Sequence, residues 1–422
     1  MTITSQRRAE PAQAQAQRFD FADLLAQIRA KAPARDRERQ LPHEDVAELA
    51  RRGFGALRLP LADGGAGLSV SQLAEVLLDL AAADSNFPQI FRAHFLFVEA
   101  ILLAPPSPSR DLWIARIAEG AVIGGAHTER NAGNSDHFET RIERDPENGL
   151  LLSGEKFYST GSLYADWVVT VAEDRDDELR SIAVPRTAQG LELRDDWHGF
   201  GQRLTASGTT VFDRVAISED DFLPQFGALG AYGTSLAQVF HLIGLAGIAR
   251  SAHRDVIDYV RERKRYFAHG GGALPKDDAI VQEVVGELSA AVYVSAIAVR
   301  DAAAKLDTLF TLLAEGEVDT RTIDETEADI FRAQYAVITA VLAATTRLFD
   351  VGGASALYAD KNWDRYWRNA RTLSSHNPVG FRLKAIGDYE LNRKTALRAW
   401  YSGVDLASRF APPSPEAGGA AR

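Results

Sequence analysis

The chain has 422 residues, 46% of them hydrophobic, with a formal net charge of -11 and a pI near 5.4. That is enough apolar material for two or three packed units, and the acidic balance opposes nucleic-acid binding, which needs a basic surface. Cysteine is absent and Met1 is the single methionine, which excludes disulfides, a thiol nucleophile and thiolate metal sites, and no metal is expected.

In chain order, residues 1–18, with the run Ala12-Gln13-Ala14-Gln15-Ala16-Gln17, read as a mobile tail. Residues 19–120 read as an α-helical domain. Phe21, Leu24, Leu25 and Ile28 recur at helix spacing, Val46 and Leu49 precede a break at Gly53, and Ser69 caps a helix to Ala83 carrying Leu73, Val76, Leu77 and Leu80. The period then changes over 121–225 to short β-branched and aromatic runs such as Trp167–Val171 and Thr209–Phe212, with a hairpin turn at Pro146-Glu147-Asn148-Gly149. Residues 226–411 return to helices at 237–266, 278–314, 323–350 and 379–408, broken at Gly270–Gly272 and Gly352-Gly353, which reads as a bundle. Residues 412–422 read as a second tail. The fold class is α+β, mainly α. No apolar run looks long enough for the roughly 20-residue span of a membrane helix, and Met1 to Phe19 lacks the apolar centre of a signal peptide, so a cytoplasmic protein with no membrane partner is expected.

The β segment carries three stations: His127-Thr128-Glu129-Arg130-Asn131-Ala132-Gly133-Asn134-Ser135-Asp136, Gly154-Glu155-Lys156-Phe157-Tyr158-Ser159-Thr160-Gly161-Ser162, and Asp195-Asp196-Trp197-His198-Gly199-Phe200-Gly201-Gln202-Arg203. Hydroxyls at Thr128, Ser159 and Thr160 suit the polar edge of a flavin, and Trp197 suits its apolar face; the bland alternative is a β-turn and a core tryptophan. In order and spacing these stations resemble the flavin-binding segments of acyl-CoA dehydrogenases. The resemblance continues through Tyr259–Phe267 and Asp364-Arg365-Tyr366-Trp367-Arg368-Asn369-Ala370-Arg371, and covers roughly residues 20 to 408. It implies an N-terminal helical domain, a central β-barrel or sandwich and a C-terminal four-helix bundle.

Dehydrogenation of an acyl thioester needs a carboxylate over the substrate. In the family it follows the arginine-rich run or sits on the first long bundle helix. Here 365–387 and 222–254 contain no Asp or Glu, the second position falls near Ala237, and the matching loop reads Thr372-Leu373-Ser374-Ser375-His376-Asn377-Pro378. That loop, Trp-Arg-Asn-Ala-Arg before it and the Asp-Asp-Trp station resemble the reduced-flavin-dependent monooxygenases typified by dibenzothiophene monooxygenase. The resemblance implies FMN, supplied as FMNH2 by a separate NAD(P)H:flavin reductase, which reacts with O2 to give a C4a-hydroperoxyflavin and oxygenates a small organic substrate at sulfur or nitrogen. It places His94 and His376 as hydrogen-bond donors near the flavin edge, Asn131 and Thr160 beside them, and Asn377 in the flavin-binding loop. The family pattern has a second histidine where this chain has Leu373.

FAD fits less well, because the Gln-x-x-Gly-Gly-x-Gly stretch that receives its adenine half is replaced by Phe349-Asp350-Val351-Gly352-Gly353-Ala354-Ser355. Arg263 or Arg265 is expected to grip the FMN phosphate. Phe87, Phe91, Phe95 and Phe97 fit either an aromatic substrate pocket or core. The family assembly implies a homotetramer, a dimer of dimers in which one subunit's bundle completes another's flavin site. The alternatives are an acyl-CoA dehydrogenase with a displaced base and a non-catalytic binding protein on the same fold.

Overall fold

The structure, a computed structural model, describes residues 19–130, 138–223, 230–265 and 274–393. Both expected tails, Asn131, the Gly270–Gly272 break and the end of the 379–408 helix lie outside the described residues.

Among the described residues six α-helices precede the first strand: α1 (Ala22–Glu38), α2 (His43–Arg51), α3 (Val70–Ala83), α4 (Asn86–Ile90), α5 (Arg92–Leu103) and α6 (Pro108–Ala118). Helix α1 buries Leu24, Ile28 and Ala32 and ends at Arg39 in the left-handed region (φ 53), whose N–H returns to the last turn. Helix α3 begins with a reciprocal capping box between Ser69 and Gln72. The Asp307 carboxylate accepts two further amides of its first turn, from Val70 (2.5 Å) and Ser71 (3.0 Å). A negative group at a helix N-terminus satisfies orphan donors and opposes the dipole, so this contact also ties α3 to the bundle.

The strands are β1 (Ile123–Ala126), β2 (Arg141–Asp145), β3 (Gly149–Lys156), β4 (Trp167–Glu173), β5 (Leu179–Pro185), β6 (Leu191–Leu193) and β7 (Thr210–Ile217). They form one sheet in the order β1-β4-β2-β3-β7-β6, with β5 paired antiparallel to the other side of β4. The expected hairpin joins β2 and β3; Asp145 Oδ1 accepts from the amides of Glu147 and Asn148 (2.9 Å each), and Gly149 takes φ +79.

The bundle consists of α7 (Gly230–Glu262), α8 (Ala279–Glu315), α9 (Thr320–Arg347) and α11 (Val379–Asn392), with the short α10 (Asp364–Ser374) packed on α7 and α9. Phe54, Phe91, Phe95 and Phe240 form a continuous aromatic contact from the N-terminal helices into α7, with centroid separations of 4.9, 5.8 and 6.1 Å along it. Phe87, Phe91, Phe95 and Phe97 are all buried. They are core, stabilising by about 1.5–3 kcal/mol each, and do not line a substrate pocket.

The expectation that no apolar run approaches membrane length needs correction. Tyr232–Glu262 and Ala279–Glu315 are both long and apolar enough to span a membrane by length and composition. The first is 89% buried over its most apolar window, which makes it the core helix of the bundle. The second is only 28% buried over its own window, so it leaves an apolar face open.

Candidate active site

The second station folds as a tight loop after β3. Phe157 N–H donates to the Thr128 carbonyl (2.7 Å), which sets the first two stations side by side. Ser159 N–H donates to Gly208 O (3.0 Å) and Gly161 N–H to Thr205 O (2.9 Å). Tyr158, Gln202 and Ala206 all adopt positive φ (55, 49 and 52). Non-glycine residues in that region cost energy and persist where surrounding structure overrides it, often at functional sites.

The hydroxyls form a chain. Thr160 Oγ1 lies 2.7 Å from Ser207 Oγ, which lies 2.8 Å from Thr205 Oγ1, and Thr205 donates to Gln202 O (2.9 Å). The same carbonyl accepts from Trp197 Nε1 (2.9 Å), so the indole and Thr160 share one anchor. Ser159 Oγ is buried with no partner, while Thr128 is exposed and Trp197 half-buried. An orphaned buried hydroxyl beside accessible donors and an indole is what a flavin edge requires, and the residues fit that group. Beneath them Glu129 and Lys156 form a buried ion pair (2.6 Å), and the Glu129 carboxylate also accepts from Glu139 N (2.8 Å), Thr140 N (3.1 Å) and Thr140 Oγ1 (2.6 Å).

The third station docks on the bundle. Gln202 N–H donates to Asn369 Oδ1 (2.6 Å), Gln202 Nε2 to Ser85 Oγ (3.0 Å), and Arg368 to Phe200 O (2.9 Å) and Asp36 (2.6 Å). A Cβ at Gly201 would stand 2.1 Å from Arg368 O, so only glycine admits this approach. The arginine-rich run of α10 therefore works as a bracket between β domain, α1 and bundle. At the opposite side, Gly161 abuts Ile90 and Gly125 abuts Ala93 and His127. That places the first two stations next to the start of α5.

At this junction lie Arg92, His127, His241 and His376. The His376 ring reaches solvent, yet desolvation by the protein around it, together with Arg92 and Arg382, pushes its pKa down to about 3. Its Nε2 makes a long 3.5 Å contact with Arg92 Nη1. A guanidinium only donates, so the neutral ring keeps its proton on Nδ1, an assignment made from the hydrogen-bond network. His241, from α7, is buried with neither ring nitrogen bonded, and its ring centroid stands 4.2 Å from that of His376. Burial, then His376, Arg92 and Arg382, hold His241 well below the usual imidazole range. His127 is held to about 4 by desolvation, Lys156 and Arg92. Among the described residues no carboxylate acts on any of these three rings.

His94 is different. Its Nδ1 accepts from Ile123 N–H (3.2 Å), so its Nε2–H donates to Gly55 O (3.0 Å), and the ring is 0% exposed. Both nitrogens are spent on backbone, so the expected donor to a ligand is a clamp between the N-terminal helices and β1. Asn377 also serves its own loop: in the orientation that satisfies both amide atoms it donates to His376 O (2.9 Å) and accepts from Arg382 (3.1 Å). Leu373 is core, packed against Gly244 of α7. The imidazole facing His376 comes from α7, at His241. Arg263 donates to Val351 O (3.0 Å) and lies over Tyr259, and Arg265 is exposed. Helix α7 separates them from His241 by roughly 30 Å of axial rise, so they are not brought to the imidazole cluster. Sequence reading missed His241, Arg92, Thr205 and Ser207. The available signal for His241 was a lone imidazole in the apolar run Val239-Phe240-His241-Leu242-Ile243.

Three family models match the chain: acyl-CoA dehydrogenase N-terminal domain at residues 13–121, middle domain at 124–215 and C-terminal domain at 241–380. The chain belongs to the acyl-CoA dehydrogenase family. Within it, the chain is 27% identical over 387 residues to a probable FMNH2-dependent monooxygenase, SfnC, of Pseudomonas putida, covering 90% of this chain and 96% of that one. It is also 27% identical over 368 residues to dibenzothiophene monooxygenase of Mycolicibacterium goodii, covering 83% and 88% respectively. FMN-bound TdsC from Paenibacillus sp. A11-2 has the same fold, with a TM-score of 0.81 over 88% of this chain and 96% of that one at 24% identity.

Proposed function

We propose that this protein is the oxygenase component of a two-component system, using FMN reduced by a separate NAD(P)H:flavin reductase and O2 to oxygenate a small organic substrate at sulfur or nitrogen. The observation that carries this reading is the junction where Arg92, His241 and His376 meet: imidazole and guanidinium groups gather there, and among the described residues no carboxylate acts on its histidines. Among the described residues no carboxylate is placed there as a base for α-proton removal, whereas neutral donors are present. The similarity to SfnC and dibenzothiophene monooxygenase supports the same reaction class.

Bound reduced FMN supplies the electrons that activate O2. Thr128, Ser159 and Thr160 would hold the polar edge of the ring, and Trp197 would offer it an apolar surface. Neutral His376 donates through Nδ1 on the substrate side, and a proton held there is not lost to bulk water once the site is filled. Asn377 positions that loop, and Asn131 completes the polar edge on the ground of resemblance alone. Helix α7 sets Arg263 and Arg265 roughly 30 Å from His241, so they would grip the phosphate of a flavin held with a neighbouring subunit, in keeping with the homotetramer that the resemblance implies. Ile280, Tyr293, Val294 and Ile297, 61%, 69%, 40% and 46% exposed, lie along α8 as a face for that assembly. With that face covered and α7 in the core, neither apolar helix needs a membrane, and the location is the cytoplasm.

The test is anaerobic titration with FMNH2, followed by mixing with oxygenated buffer. Tight binding and flavin reoxidation slower than in free solution are expected, along with no bleaching of oxidised flavin by acyl-CoA. Failure to bind FMNH2 or to slow its oxidation refutes the oxygenase reading; anaerobic bleaching by acyl-CoA establishes the dehydrogenase instead.

A further inference from the structure

Arg92 opens α5 at the junction with His376, half-buried, and no carboxylate among the described residues forms an ion pair with it. Its one polar contact among the described residues is the long approach to His376 Nε2 (3.5 Å). His241 stands across from His376 (4.2 Å between centroids), 3% exposed, with both ring nitrogens unbonded. The second guanidinium nearby, Arg382, is already committed: it donates to Gln238 Oε1 (2.7 Å) and Gln334 Oε1, and Glu327 acts on its charge. Among the described residues, the positive charge at this junction that no carboxylate meets is that of Arg92, and His241 brings two buried ring nitrogens without a partner.

An unpaired cation and an unbonded imidazole held side by side are costly unless a ligand completes them. The guanidinium fork matches two oxygens of one oxyanion, and a neutral imidazole adds one further N–H to the same group. Resting on the oxygenase reading, which makes this junction the substrate side, we infer that Arg92 and His241 form a subsite for an oxyanion group of the substrate. The substrate class is a small organic sulfinate, sulfonate or carboxylate, seated against His376, rather than an uncharged heterocycle. Arg92 and His241 act here as specificity residues.

The experiment compares isosteres that differ in charge. Benzenesulfonate and methyl phenyl sulfone are titrated calorimetrically into the full chain, flavin-free and loaded with oxidised FMN. Expected is at least tenfold tighter binding of the sulfonate, abolished in Arg92→Met, partly kept in Arg92→Lys, and reduced several-fold in His241→Phe, with affinity for FMNH2 within threefold of the parent in every variant. Equal affinity for the two probes in the parent, or an undiminished preference in Arg92→Met, overturns the proposal. A loss of FMNH2 affinity in Arg92→Met also overturns it, because the cation then serves the flavin. If Arg92→Met does not fold, Arg92→Lys together with His241→Phe decides: unchanged preference in both refutes the subsite. The flavin-free arm keeps this result separate from the oxygenase reading, which fails only if the parent protein does not bind FMNH2.

Discussion

Replacing His94 separates a structural imidazole from a catalytic one. The ring bridges Gly55 O and Ile123 N–H and is 0% exposed. His94→Ala strands both backbone groups at about 1–3 kcal/mol each, so a loss of about 3–5 kcal/mol is expected. The pH dependence is more diagnostic. Burial pushes the His94 pKa down to about 4, from an ordinary value of 6.5. Between those values the unfolded chain binds a proton that the folded chain does not, so this site's stability contribution is present above about pH 6.5 and is lost as pH falls toward 4. Integrated from pH 7 to 5, the loss is about 2 kcal/mol. His94→Gln keeps an amide donor for Gly55 and cannot titrate, so its stability should fall by that much less over the same interval. Urea denaturation at pH 7 and 5, followed by tryptophan fluorescence, gives the difference directly, and other histidines cancel between the two proteins. Identical pH slopes would refute the reasoning. So would a His94→Gln protein of parental stability that binds FMNH2 but releases all its oxygen as peroxide, since that assigns His94 to the chemistry.

His376→Ala should keep FMN affinity within roughly tenfold, a shift of about 1.4 kcal/mol or less, while a larger share of NADH appears as hydrogen peroxide; unchanged coupling removes its role as donor. With the His376 pKa held to about 3, coupling in the parent protein should be flat from pH 5 to 8, and a break near 6.5 in product formed per NADH would show a ring that titrates normally. Lys156→Met leaves Glu129 buried without its cation and should cost about 3–5 kcal/mol. Lys156→Met with Glu129→Gln should recover much of that loss in thermal unfolding, and equal melting of the two variants would contradict the pair. Tyr293→Lys with Ile297→Glu on α8 should shift sedimentation toward smaller species and weaken FMN retention together; a smaller assembly with full FMN affinity would mean that each subunit holds its flavin alone.

The large divisions were legible in the chain because hydrophobic period and turn residues are local. The switch near Ala121 precedes β1 at Ile123, the Pro146–Gly149 turn joins β2 to β3, and the Ser69 cap starts α3 where expected. That the three stations come together was legible as well, and the loops carrying Thr128, Ser159 and Thr160 lie side by side in the fold. What the sequence left undecided was the use of single side chains. His94 and His376 look alike as isolated imidazoles, and only the packing of Gly55 and Ile123 around one of them shows that it has no donor to offer. Leu373 read as a missing histidine, yet α7 crosses the loop and supplies His241 from 135 positions earlier in the chain, reckoned from His376. The Phe87–Phe97 stripe likewise had two readings until burial assigned it to the core. Periodicity determines which face of an element is apolar, whereas whether a polar group on that face meets a backbone carbonyl, another ring or an open recess depends on contacts between segments far apart in sequence, and those were decided by the tertiary structure.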